Sequence, residues 1–366
     1  MPNSIQQAND YWMPAEWEPH EAVWLQWPDI CMRGTASYAR KLQSTWLEMT
    51  AILADHVTVR VAAATEVSAA DVERDCARFG VNMSRIQVLT IPLDDIWARD
   101  NGAVFVISPD GTLVVTDWNF NGWGESGAAV EKDRQVPVAV AKLCGLERIV
   151  GGIVTEGGAL EVNGTGTLMA TRSSILNPNR NPGKSQENIE NSLSKLLGVT
   201  NFVWLSGAPP ETCYNLGDAT DFHIDLVARF ASKNVVLANH TSDDSDPRKP
   251  FMDRHIGELK ASTDESGKPL EVVLLPTPRM LSISTVKFSG VDFSVAPGAP
   301  TDASYSNYLV TNDLVLVPAY GQPEDTKAKA IIAEHFPGRE VVGISAINVT
   351  EQGGAIHCVT QQQPAV

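Results

Sequence analysis

The stretch Ala103-Val-Phe-Val-Ile107, Ser108-Pro-Asp-Gly111, Thr112-Leu-Val-Val-Thr116 contains the unit from which the chain is built. Its two flanks are rich in β-branched and aromatic residues, which fit a pleated and half-buried surface. Between them, Pro presets φ and Gly supplies the positive φ that a tight connection needs. The stretch therefore reads as a β-hairpin. The same pattern recurs downstream. Ala159–Val162 and Thr167–Ala170 flank Asn163-Gly-Thr-Gly166, and Leu226–Phe230 and Val235–Ala238 flank Ala231-Ser-Lys-Asn234. Tyr308–Val310 and Leu314–Val317 flank Thr311-Asn-Asp313.

Amphipathic segments between the hairpins predict helices over 38–54, 69–79, 127–144, 185–197, 248–260 and 324–335. Ser185, with Asn188 three positions on, is a cap for the fourth. Strand-like runs follow at Val57–Ala63, Ile86–Ile91, Phe202–Leu205, Leu270–Leu275 and Glu340–Gly343. The repeating unit is hairpin, helix, strand, with a spacing of roughly 60 residues, the scale of repeat architectures. Pattern alone leaves two α/β solutions open: a closed repeat, or two domains with decorated sheets. No Pro/Ser-rich linker divides the chain, which favours one domain over residues 1–366.

Composition narrows the function classes. The 366 residues are 43% hydrophobic and 20% charged, which predicts a packed core. The formal net charge of -16 argues against nucleic acid and anionic membrane as partners and favours cationic ligands weakly. Cys31, Cys76, Cys144, Cys213 and Cys358 are sparse and form no CxxC pair, a pattern of reducing compartments. Met1 to Trp12 is polar and lacks a signal-peptide core, and no apolar run reaches the ~18 residues that span a bilayer. The cytoplasm is the expected location.

The residues able to do chemistry fall just before the hairpins. Asp100 closes Asp94-Asp-Ile-Trp-Ala-Arg-Asp100, and Glu156 lies in Thr155-Glu-Gly-Gly158. His223 and Asp225 lie in Asp221-Phe-His-Ile-Asp225. Near the C-terminus, Gln352-Gly-Gly-Ala-Ile-His-Cys358 places a cysteine after Gly353 and Gly354, which allow close backbone approach to a ligand. If equivalent strand starts converge on an axis, the acids, the histidine and the cysteine meet. A thiol and a histidine can run a covalent cycle. Extra carboxylates would repel a thiolate, unless the substrate brings a planar cation that they bind in bidentate fashion. A guanidinium is such a cation, and the faces of Trp97 and Trp123 suit it.

Each residue also has a plainer reading. Cys358 could be a small buried hydrophobe and His223 a satisfied core histidine. Asp100 after Arg99 could be half of an ion pair, Glu156 could close a turn, and Asp225 could cap a loop. Trp97 and Trp123 could be core. Asp221, His223 and Asp225 alternate as metal ligands on a strand face would, but no further cluster completes a shell.

Taken together and in order, the motifs resemble the agmatine deiminases and the bacterial-type peptidyl-arginine deiminases of the pentein superfamily. Met13-Pro-Ala-Glu-Trp-Glu-Pro-His20 with Trp24 and Trp27-Pro28 resembles the family's opening. Asp95–Asp100, Asn119-Phe-Asn-Gly-Trp-Gly124, Glu156–Gly158 and Leu176-Asn-Pro-Asn-Arg-Asn-Pro182 follow in family order. His223–Asp225, Ala303-Ser-Tyr-Ser-Asn307, Phe336-Pro-Gly-Arg339 and Gly353–Gln362 complete the set.

The resemblance implies an α/β fold, a five-bladed propeller of ββαβ-like units around a pseudo-fivefold axis. It implies Cys358 as nucleophile on a guanidinium carbon and His223 as the acid and then the base. Glu156 would orient the histidine, and Asp100 and Asp225 would grip the nitrogens, with Trp97, Trp123 and Gly354 lining the substrate. No cofactor and no metal are implied, and a homodimer is the expected assembly. The implied reaction is agmatine to N-carbamoylputrescine and ammonia.

Deimination of arginine or of a C-terminal peptidyl-arginine would need a basic partner for the carboxylate, for which Arg99, Arg172 and Arg180 are candidates. Amidino transfer and non-catalytic guanidino binding are the remaining alternatives. Four positions depart from the family pattern: Phe222 replaces a Gly, Leu226 and Ala355 each replace an Asn, and Asn101-Gly-Ala follows the first acidic motif. They are expected near the substrate's tail, where Phe222 would narrow the pocket.

Overall fold

The computed structural model describes residues 11–29, 36–125, 130–209, 212–213, 218–282, 300–301 and 303–366. Four of its sheets are built on the hairpins. Val104–Ile107 pairs antiparallel with Leu113–Asp117, which pairs in parallel with Glu147–Val150. Glu161–Val162, Thr167–Thr171 and Asn201–Leu205 repeat that order, as do Ala228–Phe230, Val235–His240 and Glu271–Pro276. Leu309–Val310, Leu314–Ala319 and Glu340–Ser345 form the fourth set. In each set a helix joins the second strand to the third, because neighbouring parallel strands need a crossover. The helices are Val136–Cys144, Gln186–Leu197, Lys249–Lys260 and Glu324–His335.

The remaining large sheet joins the two ends of the described chain. Thr360–Pro364 pairs antiparallel with His20–Gln26, with Leu25 opposite Thr360. His20–Gln26 then pairs in parallel with Thr58–Ala63, and that strand with Ile86–Thr90. The antiparallel partner that a hairpin supplies elsewhere comes here from the far end of the sequence. The helices Ala36–His56 and Glu66–Phe79 make the crossovers.

Most predicted elements lie where expected. The Ser185 side chain accepts the Asn188 N–H at 3.2 Å and the Asn188 side chain returns to the Ser185 N–H at 3.4 Å, closing a capping box. The helix expected over 127–144 is shorter, running from Val136 to Cys144 after a 3₁₀ turn at Asp133–Gln135. Pro137 sets this start, because its missing N–H is harmless only in the first helical turn. Residues 127–129 of that expectation, Cys31 and the residues before Tyr11 lie outside the described chain. Ala159 belongs to a 3₁₀ turn, Gly157–Ala159, rather than to the second hairpin.

The largest core cluster packs Trp46, Met49 and Leu53 with Val59, Val61, Leu314, Leu316 and Phe336, and it includes Cys358. Among the described residues no helix is long and apolar enough to cross a membrane, and no group of three His, Cys, Asp or Glu is arranged to hold a metal.

Candidate active site

Four separate loops deliver the polar cluster, and each is held by its own local bonds. Asp100 ends a turn in which its N–H reaches the Trp97 carbonyl at 2.9 Å. Its carboxylate accepts the Gly158 N–H at 3.2 Å and the Trp123 indole N–H at 2.9 Å. Glu156 is 0% exposed and accepts the Arg180 Nε–H at 2.9 Å. Asp218 organises the loop of His223, accepting the Thr220 N–H at 2.9 Å and the Phe222 N–H at 2.6 Å. Thr220 Oγ1 in turn accepts the His223 N–H at 3.2 Å. These bonds sustain left-handed φ at two residues with side chains, Asp221 (60°) and Phe222 (68°). Asp225 follows in the 3₁₀ turn Ile224–Leu226, and Cys358 is tied through its carbonyl to the Arg99 N–H at 3.1 Å.

The side chains meet. His223 Nε2 lies 3.2 Å from Glu156 Oε2, and Nδ1 lies 3.6 Å from Asp100 Oδ1. The Cys358 thiol is 3.7 Å from Asp225 Oδ2 and accepts the Asn307 amide N–H at 3.1 Å. Asn307 also accepts the Cys358 backbone N–H at 3.2 Å, so one amide clamps the cysteine at two points. A Cβ on Gly158 would fall 2.7 Å from Asp100 Oδ1, 2.7 Å from His223 Nδ1 and 3.2 Å from Asp225 Oδ2. The bare backbone of Gly158 therefore borders the space where the three groups converge. Two buried atoms there, His223 Nδ1 and Asp225 Oδ1, lack a hydrogen-bond partner. Buried polar atoms are normally paired, which sets these two apart as candidates for contact with a ligand's polar groups.

Gly354 is required at the rim for packing. A Cβ on it would lie 2.4 Å from the Trp97 ring and 3.1 Å from Cys358 Cβ, so the indole rests on this backbone beside the cysteine. Trp97 and Trp123 meet edge to face, with centroids 6.5 Å apart. Trp123 takes φ 53°, and a Cβ on the following Gly124 would strike Asn179 and Arg180.

Electrostatics follow from burial in an acidic shell. Burial disfavours charge on His223, yet Asp100, Glu156 and Asp225 together raise its pKa to about 9. Burial lifts Asp100 to about 6, aided by Asp225 and Glu156 and opposed by His223. Glu156 is held below its usual range despite burial, chiefly by Arg180. Burial pushes the Cys358 thiol well above its ordinary value, and Asp225 and Asp100 push it further. A cation bound among these carboxylates would offset their charge and favour a thiolate at Cys358.

All five residues named as catalytic from the sequence, Cys358, His223, Glu156, Asp225 and Asp100, are brought together, with Trp97, Trp123 and Gly354 at their edge. The departures fare differently. Phe222 is buried core, its ring 6.3 Å from Phe251 and 6.1 Å from His255, and it shares a small cavity wall with Leu226. Its expected part in narrowing the substrate pocket gives way to a conformational one: the left-handed φ explains why a Gly suits the position. Ala355 is likewise core. The three candidate carboxylate partners are engaged elsewhere. Arg99 bonds the Gln362 side chain and pairs with Glu16 at 3.5 Å. Arg180 pairs with Glu156 and Asp221, and Arg172 bonds Gln186 at 2.7 Å. Sequence reasoning gave no role to Asn307, Gly158 or His357, and it offered Arg180 as a carboxylate partner rather than as the anchor of Glu156. All four lie inside quoted motifs, and the contacts of Asn307 with Cys358 and of His357 with Asp225 and Glu16 emerge only in three dimensions.

These features define an α/β protein of repeated hairpin, helix and strand units with a buried cluster of cysteine, histidine and acids. Over residues 12–364 the sequence matches the Porphyromonas-type peptidyl-arginine deiminase family, and the chain belongs to it. It is 34% identical to an agmatine deiminase of Ectopseudomonas mendocina over 98% of this chain and 96% of that one. It is 35% identical to an agmatine deiminase of Pseudomonas aeruginosa over 100% of this chain and 98% of the relative. The solved structure of the Enterococcus faecalis agmatine deiminase superposes with a TM-score of 0.87 at 29% identity, covering 97% and 96% of the two chains.

Proposed function

We propose that this protein is a hydrolase of guanidino C–N bonds that converts agmatine and water to N-carbamoylputrescine and ammonia. The observation that carries the reading is the convergence of Asp100, His223 and Asp225 beside Gly158, with the Cys358 thiol 3.7 Å from Asp225 Oδ2 and with His223 Nδ1 and Asp225 Oδ1 unpartnered. The engagement of Arg99, Arg172 and Arg180 by other side chains supports a substrate with an amine tail over one with a carboxylate.

In this reading Asp100 and Asp225 hold the guanidinium through its N–H groups, and the bound charge draws Cys358 toward the thiolate. The thiolate adds to the guanidinium carbon. His223, protonated at neutral pH because its pKa is about 9, gives its proton to the departing nitrogen, and ammonia leaves as the C–N bond breaks. An amidino group then sits on the sulfur as a thiouronium. His223, now neutral, takes a proton from water as the water adds to that carbon, and expulsion of the thiolate yields the ureido product. Glu156, anchored by Arg180, keeps the imidazole in place. The mechanism calls on no cofactor or metal. The five sheet units form a five-bladed propeller around a pseudo-fivefold axis, one catalytic domain over 1–366 with the site at its centre. The protein works in the cytoplasm as a homodimer.

Ammonia release from purified protein offered agmatine, arginine, a peptide ending in arginine and other guanidino compounds tests the reading. Release from agmatine, lost in Cys358→Ala, is the expected result. Release from arginine alone moves the substrate, formation of an amidinated amine moves the reaction to transfer, and turnover by Cys358→Ala removes the covalent route.

A further inference from the structure

His357, the residue before the cysteine, has no part in the mechanism above, yet it is buried against it. Its Nδ1 lies 2.7 Å from Asp225 Oδ2, and its Nε2 lies 2.8 Å from Glu16 Oε2, supplied by the opposite end of the chain. Its own N–H reaches the carbonyl of Asn307 at 3.0 Å, the residue that clamps Cys358. Both ring nitrogens thus face carboxylate oxygens at hydrogen-bond distance. A neutral imidazole has one N–H, and ionised carboxylates only accept. Two such bonds therefore need one proton more than a neutral ring and two carboxylates provide.

Glu16 stays ionised, because Arg229 (2.9 Å), His357 and Arg99 (3.5 Å) hold it well below the usual carboxylate range against burial. Asp225 is also held below that range against burial, first of all by its bond to His357. Burial, Arg229 and Arg99 outweigh Glu16 and Asp225 and lower the ring's pKa, so the extra proton is held by the geometry of two facing carboxylates rather than by the ring's own basicity. Of the two Asp225 oxygens, Oδ2 is taken by His357 and Oδ1 is unpartnered.

We infer that His357 is a positioning residue: the Glu16–His357–Asp225 relay shares a proton, pins Asp225 through Oδ2, the oxygen that also faces Gly158 and the Cys358 thiol, and leaves Oδ1 with its full accepting capacity for the substrate cation. The inference rests on the active-site reading above. It makes the N-terminal segment around Glu16 part of the machinery that sets the charge of Asp225.

Two isosteric variants separate positioning from mere packing. Asn at 357 places an amide where Nδ1 sits and keeps a donor for Asp225, whereas Gln reaches toward Glu16 and leaves Asp225 bare. His357→Asn is expected to keep kcat/KM within about threefold of the parent. His357→Gln is expected to raise KM by about tenfold or more, the scale of a lost hydrogen bond to a charged group. Without its donor the Asp225 carboxylate protonates more readily, so the acidic limb of kcat/KM moves to higher pH in His357→Gln only. Equal loss in both variants with an unmoved pH profile, or no loss in either, overturns the inference. A readout independent of turnover is the imidazole N–H proton by NMR in Cys358→Ser. A strongly deshielded resonance that vanishes in the double variant Cys358→Ser/His357→Gln is expected, and its absence from Cys358→Ser itself overturns the shared proton. A parent protein that releases no ammonia from any guanidino compound fails the proposed function instead, and the NMR result still decides the relay.

Discussion

A methyl group on Gly158 would sit 2.7 Å from both Asp100 Oδ1 and His223 Nδ1, closer than real Cβ contacts come. Gly158→Ala is therefore expected to lower kcat/KM by about a hundredfold or more while thermal unfolding stays close to the parent's, since misplacement by an ångström is that costly to a reacting geometry. Full activity in this variant would show that the site lies elsewhere. Asp100 supports a second test. With its pKa raised to about 6 by burial, it is ionised at neutral pH and becomes neutral as the pH falls through that value. Agmatine binding to Cys358→Ser, followed by calorimetry, should weaken as the pH drops from 7 to 5; flat affinity over that range would remove Asp100 from the cation's grip. At this scale the sequence was informative about identities and less so about partners. A cysteine, a histidine and three acids can be picked out because their types fit one chemistry. Asn307 and His357 escaped because an amide and a second histidine acquire meaning only through contacts made across 51 and 132 positions of the chain.

Elements were legible where turn chemistry marked them and obscure where solvent did. The four hairpins announced themselves through Gly, Asn and Asp between β-branched runs. Glu147–Val150 passed unnoticed as a strand because its four residues, Glu-Arg-Ile-Val, lie at a sheet edge with little burial and no alternation. The helix ending at Cys144 was drawn too long because apolar periodicity continued past the point where Pro137 fixes the first turn. Capping was read correctly at Ser185, and it carries a prediction of its own. Ser185→Ala should cost about 1 kcal/mol through the loss of the bond to the Asn188 N–H. In a chain of this size that lowers Tm by about 2 °C, with ammonia release unchanged. A coupled fall in activity would mean that the Gln186–Leu197 helix transmits strain to the Glu156 loop.

At the scale of the whole molecule, sequence repetition suggested a unit but not how the units are locked together, because the lock is electrostatic and discontinuous. Arg229 is fully buried and pairs with Glu16 at 2.9 Å and Glu161 at 2.6 Å, while its Nη1 donates to the Tyr308 carbonyl at 2.8 Å. Glu16 accepts the Val310 N–H at 2.8 Å, and Glu161 accepts the Phe230 N–H at 2.8 Å. One guanidinium thus fastens the opening segment, the second hairpin, the third and the fourth. Replacing it with Met leaves the buried Glu161 carboxylate without its cation and Glu16 with only Arg99 and His357, a change of about 3–5 kcal/mol. The expected fall in Tm is about 5–10 °C. The deficit should depend on pH in a defined direction. Burial, opposed by Arg229, already raises Glu161 to about 7, above its unfolded value, so between those values the folded protein binds the proton more tightly than the unfolded chain. Stability from this group is therefore greatest at low pH and is lost as the pH rises through about 7. Without Arg229 the Glu161 pKa climbs further, and at pH 5.5 the carboxyl takes up a proton and sheds its unpaired charge. The Tm deficit of Arg229→Met should accordingly be smaller at pH 5.5 than at pH 8, and Glu161→Gln added to Arg229→Met should shrink the pH 8 deficit. A deficit equal at both pH values, and indifferent to Glu161→Gln, would mean that Arg229 acts by volume and by its bond to Tyr308, with the charge cluster an onlooker.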